Sequence, residues 1–193
     1  MNRLGAGIAL LLVILLVAFA TMVHVTGPGW TGHAEEGGTG PDVARAPAPV
    51  AASMMMPVQG AELRDNWNEK RGHGMRAHQG IDIMAPTGTP VRAVADGKIE
   101  KLFESRRGGL TVYERSADGG VVYYYAHLDA YAPGLAEGQA IRAGQAIATV
   151  GATGNADPGA PHLHFEVHRM AAGEGWWQGR AVDPYPLLKA VRG

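Results

Sequence analysis

The chain has 193 residues, with 17 basic and 18 acidic side chains, eight histidines and no cysteine. That length allows one ordinary domain plus extensions, and a net charge of -1 gives no electrostatic case for nucleic acid, which selects a basic excess. Without cysteine there is no disulfide framework, thiolate zinc site, iron–sulfur cluster or cysteine nucleophile, so any metal site must use His and carboxylate.

Residues 1–25 are dominated by Leu4 to Val23, an uncharged run of 20 residues rich in Leu, Val, Ile and Ala and preceded by Arg3. Roughly 20 apolar residues span a bilayer as a helix. Two readings stand side by side. One is an uncleaved membrane anchor. The other is a signal peptide cleaved near Ala18-Phe19-Ala20. Both place the rest of the chain outside the cytoplasm, either anchored in the inner membrane or periplasmic or secreted. Residues 26–56 contain 16 Gly, Pro or Ala among 31 and show no apolar period, which reads as a disordered linker. A tether with reach and a merely tolerated segment fit that composition equally. Met54-Met55-Met56 reads as an apolar lead-in rather than a metal box.

Residues 57–193 form the expected domain. Short apolar–polar alternations are cut by glycine turns, the texture of antiparallel β-sheet. Thr89 to Ile99 reads as two strands about a turn at Asp96-Gly97. Leu110 to Tyr113 and Val121 to Tyr125 read as strands joined through Asp118-Gly119-Gly120. Ala140 to Val150 repeats the first pattern, a weak internal duplication. The only helical signal in the domain is one turn over Leu187 to Val191. The expected fold class is all-β, mostly antiparallel.

Six of the eight histidines lie between His73 and His168. On a strand, residues i and i+2 share a face. His162 and His164 therefore stand side by side, with Leu163, Phe165 and Val167 turned to the core. His78 and Asp82 sit four apart around Gly80, with Ile81 and Ile83 favouring an extended segment whose face they share. Two His and one carboxylate with an open position suit catalytic zinc, which lowers the pKa of a bound water to about 7. Spacing does not say which of His162 and His164 would bind the ion. His73 reads as solvated in a Gly-rich loop, and His24 and His33 belong to the anchor and linker.

His78-Gln79-Gly80-Ile81-Asp82-Ile83, Ala85 to Val91 and Ala95-Asp96-Gly97 resemble the first signature of the lysostaphin-like (LytM-type) zinc metalloendopeptidases. Tyr125-Ala126-His127-Leu128, Gly144-Gln145, Gly151-Ala152-Thr153-Gly154, Pro161 to Val167 and Asp183-Pro184 follow in that family's order. The resemblance runs from about Pro57 to Leu188. It implies a duplicated barrel-sandwich hybrid with a groove, and one zinc ion held by His78, Asp82 and His164. It implies catalytic roles for His127 and His162, one as proton acceptor and one as oxyanion stabiliser, without saying which. The implied activity is hydrolysis of peptide bonds in bacterial peptidoglycan. Glu166 shares the strand face of His164 and reads either as its hydrogen-bond partner or as a solvated carboxylate.

Two stretches depart from the family. Where many relatives carry Ser-x-Phe-Gly-x-Arg, this chain has Arg64 to Arg71, which bears on the groove entrance and on substrate preference. Gly173 to Gly179 resembles an insertion, and its Trp176-Trp177 pair either stacks on sugar or lines a groove, or packs as a hairpin tip on the domain's own surface. Of Tyr123, Tyr124 and Tyr125, at least one is expected to face the groove. Two other functions compete. A non-catalytic module that activates another wall hydrolase would show lost ligands, and none is lost. A metal-free sandwich carrying a swinging-arm lysine has only Lys98 beside a turn to offer, and the second repeat places Gln145 there. Nothing in the sequence fixes the oligomeric state.

Overall fold

Strict two-residue alternation builds the strand that carries His162, His164 and His168. In β10 (His162–Arg169), Leu163, Phe165 and Val167 are fully buried while His162, His164, Glu166 and His168 line the opposite face. The computed structural model of the chain describes residues 54–71 and 75–191, so the expected anchor, nearly all of the expected linker, and His24, His33 and His73 lie outside the described residues. No described helix is long and apolar enough to cross a membrane.

The described chain is almost entirely antiparallel sheet. After β1 (Lys70–Arg71) and β2 (Arg76–Ala77), which pair as a small ribbon, come β3 (Ile81–Met84), β4 (Pro90–Arg92), β5 (Gly97–Ser105) and β6 (Gly109–Ser116). Then follow β7 (Val121–Tyr131), β8 (Ala140–Ile141), β9 (Ala146–Val150), β10, β11 (Arg180–Val182) and the helix α1 (Pro184–Val191). β3 to β11 form one nine-stranded sheet with the path β11-β10-β7-β6-β5-β8. β3 also pairs with β10, and β9 joins β4 and β7. Ile81, Ile83, Tyr125, Leu128, Leu163 and Phe165 are fully buried between the sheet faces. Each contributes roughly 1.5–3 kcal/mol of hydrophobic stabilisation. Met54 and Val58 join the same core, as the apolar lead-in suggests.

Several elements differ from the sequence expectation. β4 and β5 do not pair with each other across Asp96-Gly97. The buried Glu114 carboxylate accepts the N–H groups of Val94 and Ala95, which opens the bend and sends the two strands to different partners. Those partners belong to the repeat itself: Val91 pairs with Ala148 and Gly97 with Ile141. β7 runs past Tyr125 to Tyr131 because its second half finds β9 after its first half leaves β10. The helix begins at Pro184 rather than near Leu187. Asp183 Oδ1 caps it by accepting the Tyr185 N–H at 2.9 Å, and proline suits the first helical position.

Candidate active site

β3 and β10 bring the first part of the site together. Asp82 and His164 are direct cross-strand partners, beneath which Ile83 and Leu163 are buried. A Cβ on Gly80 would lie 2.4 Å from the Phe165 carbonyl oxygen, so only glycine lets this stretch approach β10 so closely. His78 is not on the strand with Asp82, as the spacing suggested, but in the connection after β2. Its backbone is tied there by bonds to Asn68 and Glu69.

Three donor atoms meet in a near-equilateral triangle. His78 Nε2 is 3.0 Å from His164 Nδ1 and 3.1 Å from Asp82 Oδ1, and His164 Nδ1 is 3.0 Å from the same oxygen. The outer atoms of each ligand are occupied. His78 Nδ1–H donates to the Asn66 carbonyl at 2.8 Å, and His164 Nε2–H donates to Glu166 Oε1 at 2.7 Å. Asp82 Oδ2 accepts from Arg71 at 2.6 Å and from Asn66 Nδ2 at 3.2 Å. These bonds fix the tautomers so that both imidazole lone pairs turn inward. The three residues form a group that could hold one metal ion.

The electrostatics point the same way. Burial opposes charge on Asp82, yet hydrogen bonds from His164 and His78 outweigh it and hold its carboxyl well below the usual carboxylate range. Burial also opposes a charged His164, but its bonds to Asp82 and Glu166 raise its pKa to about 9. Glu166 is held down at about 2, burial being overcome by His164 and His168. The two carboxylates thus favour positive charge beside them, and a two-His, one-carboxylate donor set is one that zinc takes.

His127 and His162 stand beside the triangle in the same cleft, with His162 Nε2 3.8 Å from Asp82 Oδ1. Their ring centroids are 5.0 Å apart, and His127 is 5.9 Å from His164. His127 Nδ1–H donates to the Thr153 carbonyl and His162 Nδ1–H to the Ala160 carbonyl, each at 2.8 Å, which leaves Nε2 of each ring as its basic nitrogen. His127 is nearly buried, and that burial, with His164 and His162 nearby, lowers its pKa to about 4. Its backbone is left-handed at φ 60°, rare for a residue with a Cβ. The distortion has a local cause: β7 changes partner here, and the β6–β7 register shifts between Leu110 and Val112. Thr153 braces this bulge by donating from Oγ1 to the Leu128 carbonyl and accepting from the Leu110 N–H.

The cleft holding these groups has a volume of about 540 Å³. Tyr124 lines it while Tyr123 and Tyr125 are buried, in line with the expected alternation. Glu166 is bonded to His164 rather than freely solvated, and His168 reaches the site only through Glu166 Oε2, at 2.6 Å. Asn66, Arg71 and Thr153 are the contributors that spacing did not reveal. Asn66 and Arg71 sit in the stretch that departs from the family pattern, and Thr153 acts through its backbone carbonyl.

Residues 76–184 match peptidase family M23. The chain belongs to that family. Among M23-like relatives, the L-Ala--D-Glu endopeptidase of Bacillus subtilis is 35% identical over 133 residues, covering 66% of this chain and 39% of that protein. The chain thus spans about two fifths of that relative's length. The catalytic domain of the antimicrobial peptidase lysostaphin from Staphylococcus simulans superposes with a TM-score of 0.56 at 31% identity, covering 67% of this chain and 92% of the other. A zinc-containing peptidase from Vibrio cholerae superposes with a TM-score of 0.51 at 32% identity, covering 57% of this chain and 35% of the other. The donor set and the M23 fold together indicate one zinc ion as the cofactor.

Proposed function

We propose that this M23 chain is a zinc-dependent endopeptidase that hydrolyses peptide bonds of bacterial peptidoglycan outside the cytoplasm. The observation that carries the reading is the convergence of His78 Nε2, Asp82 Oδ1 and His164 Nδ1 beside two further histidines in one cleft. His78, Asp82 and His164 are the proposed zinc ligands, and His127 and His162 the catalytic pair. A zinc ion so held would supply a Lewis acid and make hydroxide available near neutral pH.

The chain's own residues do the rest. Asn66 and Arg71 hold Asp82 Oδ2, so that Oδ1 stays turned to the ligand triangle. Glu166 accepts from His164 Nε2–H and so orients the ring with Nδ1 turned to the triangle. His127 and His162 each turn Nε2 to the cleft, their Nδ1–H groups being held by backbone carbonyls. One, neutral, takes the proton of the attacking water at Nε2, and the other, carrying a proton on Nε2 as well as on Nδ1, donates to the carbonyl oxygen and steadies the charge that develops there. The same reading keeps residues 1–25 as membrane anchor or signal peptide, residues 26–56 as linker and residues 57–193 as the peptidase domain. It places that domain in the periplasm, either free or held at the inner membrane, or in the secreted fraction. The mutual pairing of the two repeat segments supports a duplicated barrel-sandwich arrangement.

The test is digestion of purified peptidoglycan by the zinc-loaded chain, followed by muropeptide analysis. Wild type releases new peptide ends. His127→Ala keeps about one zinc per chain and loses on the order of 10²–10⁴-fold in rate. A wild-type protein that binds zinc and cuts nothing, or a variant as active as wild type, would overturn the reading.

A further inference from the structure

The connection from β10 to β11 carries Trp176 and Trp177, which the peptidase chemistry leaves without a task. This loop is built rather than slack. Ala171 N–H donates to Glu174 Oε2 at 2.7 Å, and Gly175 N–H to Gln178 Oε1 at 2.8 Å. Arg115, from β6, donates to the Glu174 carbonyl at 3.1 Å. Trp176 is the buttress, with ring centroids 4.6 Å from Tyr113, 5.5 Å from Phe103 and 5.4 Å from Trp177. Trp177 stays 67% exposed although it is held. Its six-membered ring occupies the place a Gly175 Cβ would take, only 2.5 Å from that position. An indole fixed in this way and turned largely to water has paid its ordering entropy before any partner arrives.

Beside it lies a second hollow of about 230 Å³, lined by Tyr113, Tyr124, Glu166, His168, Trp176 and Trp177. Tyr124 and Glu166 also line the cleft of the histidines, so the two hollows share a wall. The lining has a definite chemical character. It offers flat aromatic faces, phenolic hydroxyls, the His168 imidazole and one carboxylate whose oxygens are bonded to His164 and His168, and no Lys or Arg. A peptide stem bearing free carboxylates finds no Lys or Arg to pair with here. A neutral, hydroxyl-rich ring meets faces for its C–H groups and both donors and acceptors for its hydroxyls. The volume matches about eight waters at roughly 30 Å³ each, room for a single sugar ring rather than a folded partner.

We infer that this aromatic wall is a saccharide subsite, seating one N-acetylhexosamine ring of a glycan strand while its attached peptide lies in the neighbouring cleft, an inference that rests on the peptidoglycan reading. The loop would then contribute substrate selection, favouring intact wall polymer over free peptide.

The probe is a tetrasaccharide of N-acetylglucosamine, which carries no peptide to cut. Titrated into the zinc-loaded full chain, it should bind saturably and shift the Trp176 and Trp177 indole N–H resonances. Trp177→Ala should bind it about tenfold more weakly, and Trp177→Phe should recover part of the loss. Zinc content near one per chain checks that each variant is folded. A second measurement compares kcat/KM on intact peptidoglycan with that on a glycan-free cross-linked peptide. The ratio should fall about tenfold in Trp177→Ala, mainly through KM on the polymer. No saturable binding by wild type, shifts confined to other residues, or equal binding by Trp177→Ala would overturn the subsite. A wild type that binds the sugar but cuts neither substrate would overturn the peptidase reading instead and leave the subsite standing.

Discussion

Glu114→Gln should reverse part of the pH dependence of folding. Glu114 is fully buried. Its carboxylate accepts from Tyr125 Oη at 2.5 Å, from Ala95 N–H at 3.0 Å and from Val94 N–H at 3.3 Å. Burial dominates these pulls and pushes its pKa from an ordinary 4.5 up to about 7. The folded chain thus holds this proton more tightly than the unfolded chain. Glu114's contribution is complete below the unfolded value, declines as pH rises through the folded value, and is level above it. A gap of about 2.5 units at about 1.4 kcal/mol each is worth about 3 kcal/mol in full, and about 2.5 kcal/mol between pH 5 and pH 8. Glutamine keeps the shape and does not titrate. At pH 5 the variant should match wild type within about 1 kcal/mol. At pH 8 it should have gained about 2.5 kcal/mol on it. Urea unfolding of both proteins across this range reads the difference, and shared contributions from the histidine cluster cancel. A difference that stays flat, or that moves in favour of wild type with rising pH, would refute the argument and show that the three donors outweigh burial.

Other outcomes follow from the same contacts. Glu166→Ala removes the acceptor that orients His164 and should weaken zinc binding about 10–100-fold in chelator competition, with the sheet intact. Gly154→Ala should lower stability by more than about 1–2 kcal/mol in thermal unfolding. Its φ is +76°, and the new Cβ would lie 2.3 Å from the Arg107 carbonyl oxygen and from the Gly109 nitrogen.

The local periods were legible in the sequence because they are short-range. The alternation of β10 separates Leu163, Phe165 and Val167 from His162, His164 and Glu166 with no tertiary information. The pairing of the repeats was visible only as likeness, since nothing local says that Val91 will lie against Ala148. β4 and β5 were read as a hairpin because Asp96-Gly97 carries a strong turn signal. A buried carboxylate from another strand overrode it. The histidines and Asp82 stood out by residue type, but Asn66 and Arg71 did not. Their role depends on where the segment before β2 crosses the cleft, which no spacing rule encodes. The left-handed backbone of His127 was equally hidden, because it arises from a strand changing partners.

The triangle of His78, Asp82 and His164 joins residues up to 86 positions apart, through strands that meet late in the chain. A nascent polypeptide that has not yet produced β10 carries His78 and Asp82 but has no third ligand and no His162. On the proposed assignment the hydrolytic centre comes into being only with closure of the last strands, and a chain truncated or stalled before residue 162 should be inert however much of its sheet has formed. Metal capture doubles as a readout of completed synthesis. An ion retained on purification reports that the sheet has closed from β3 to β10.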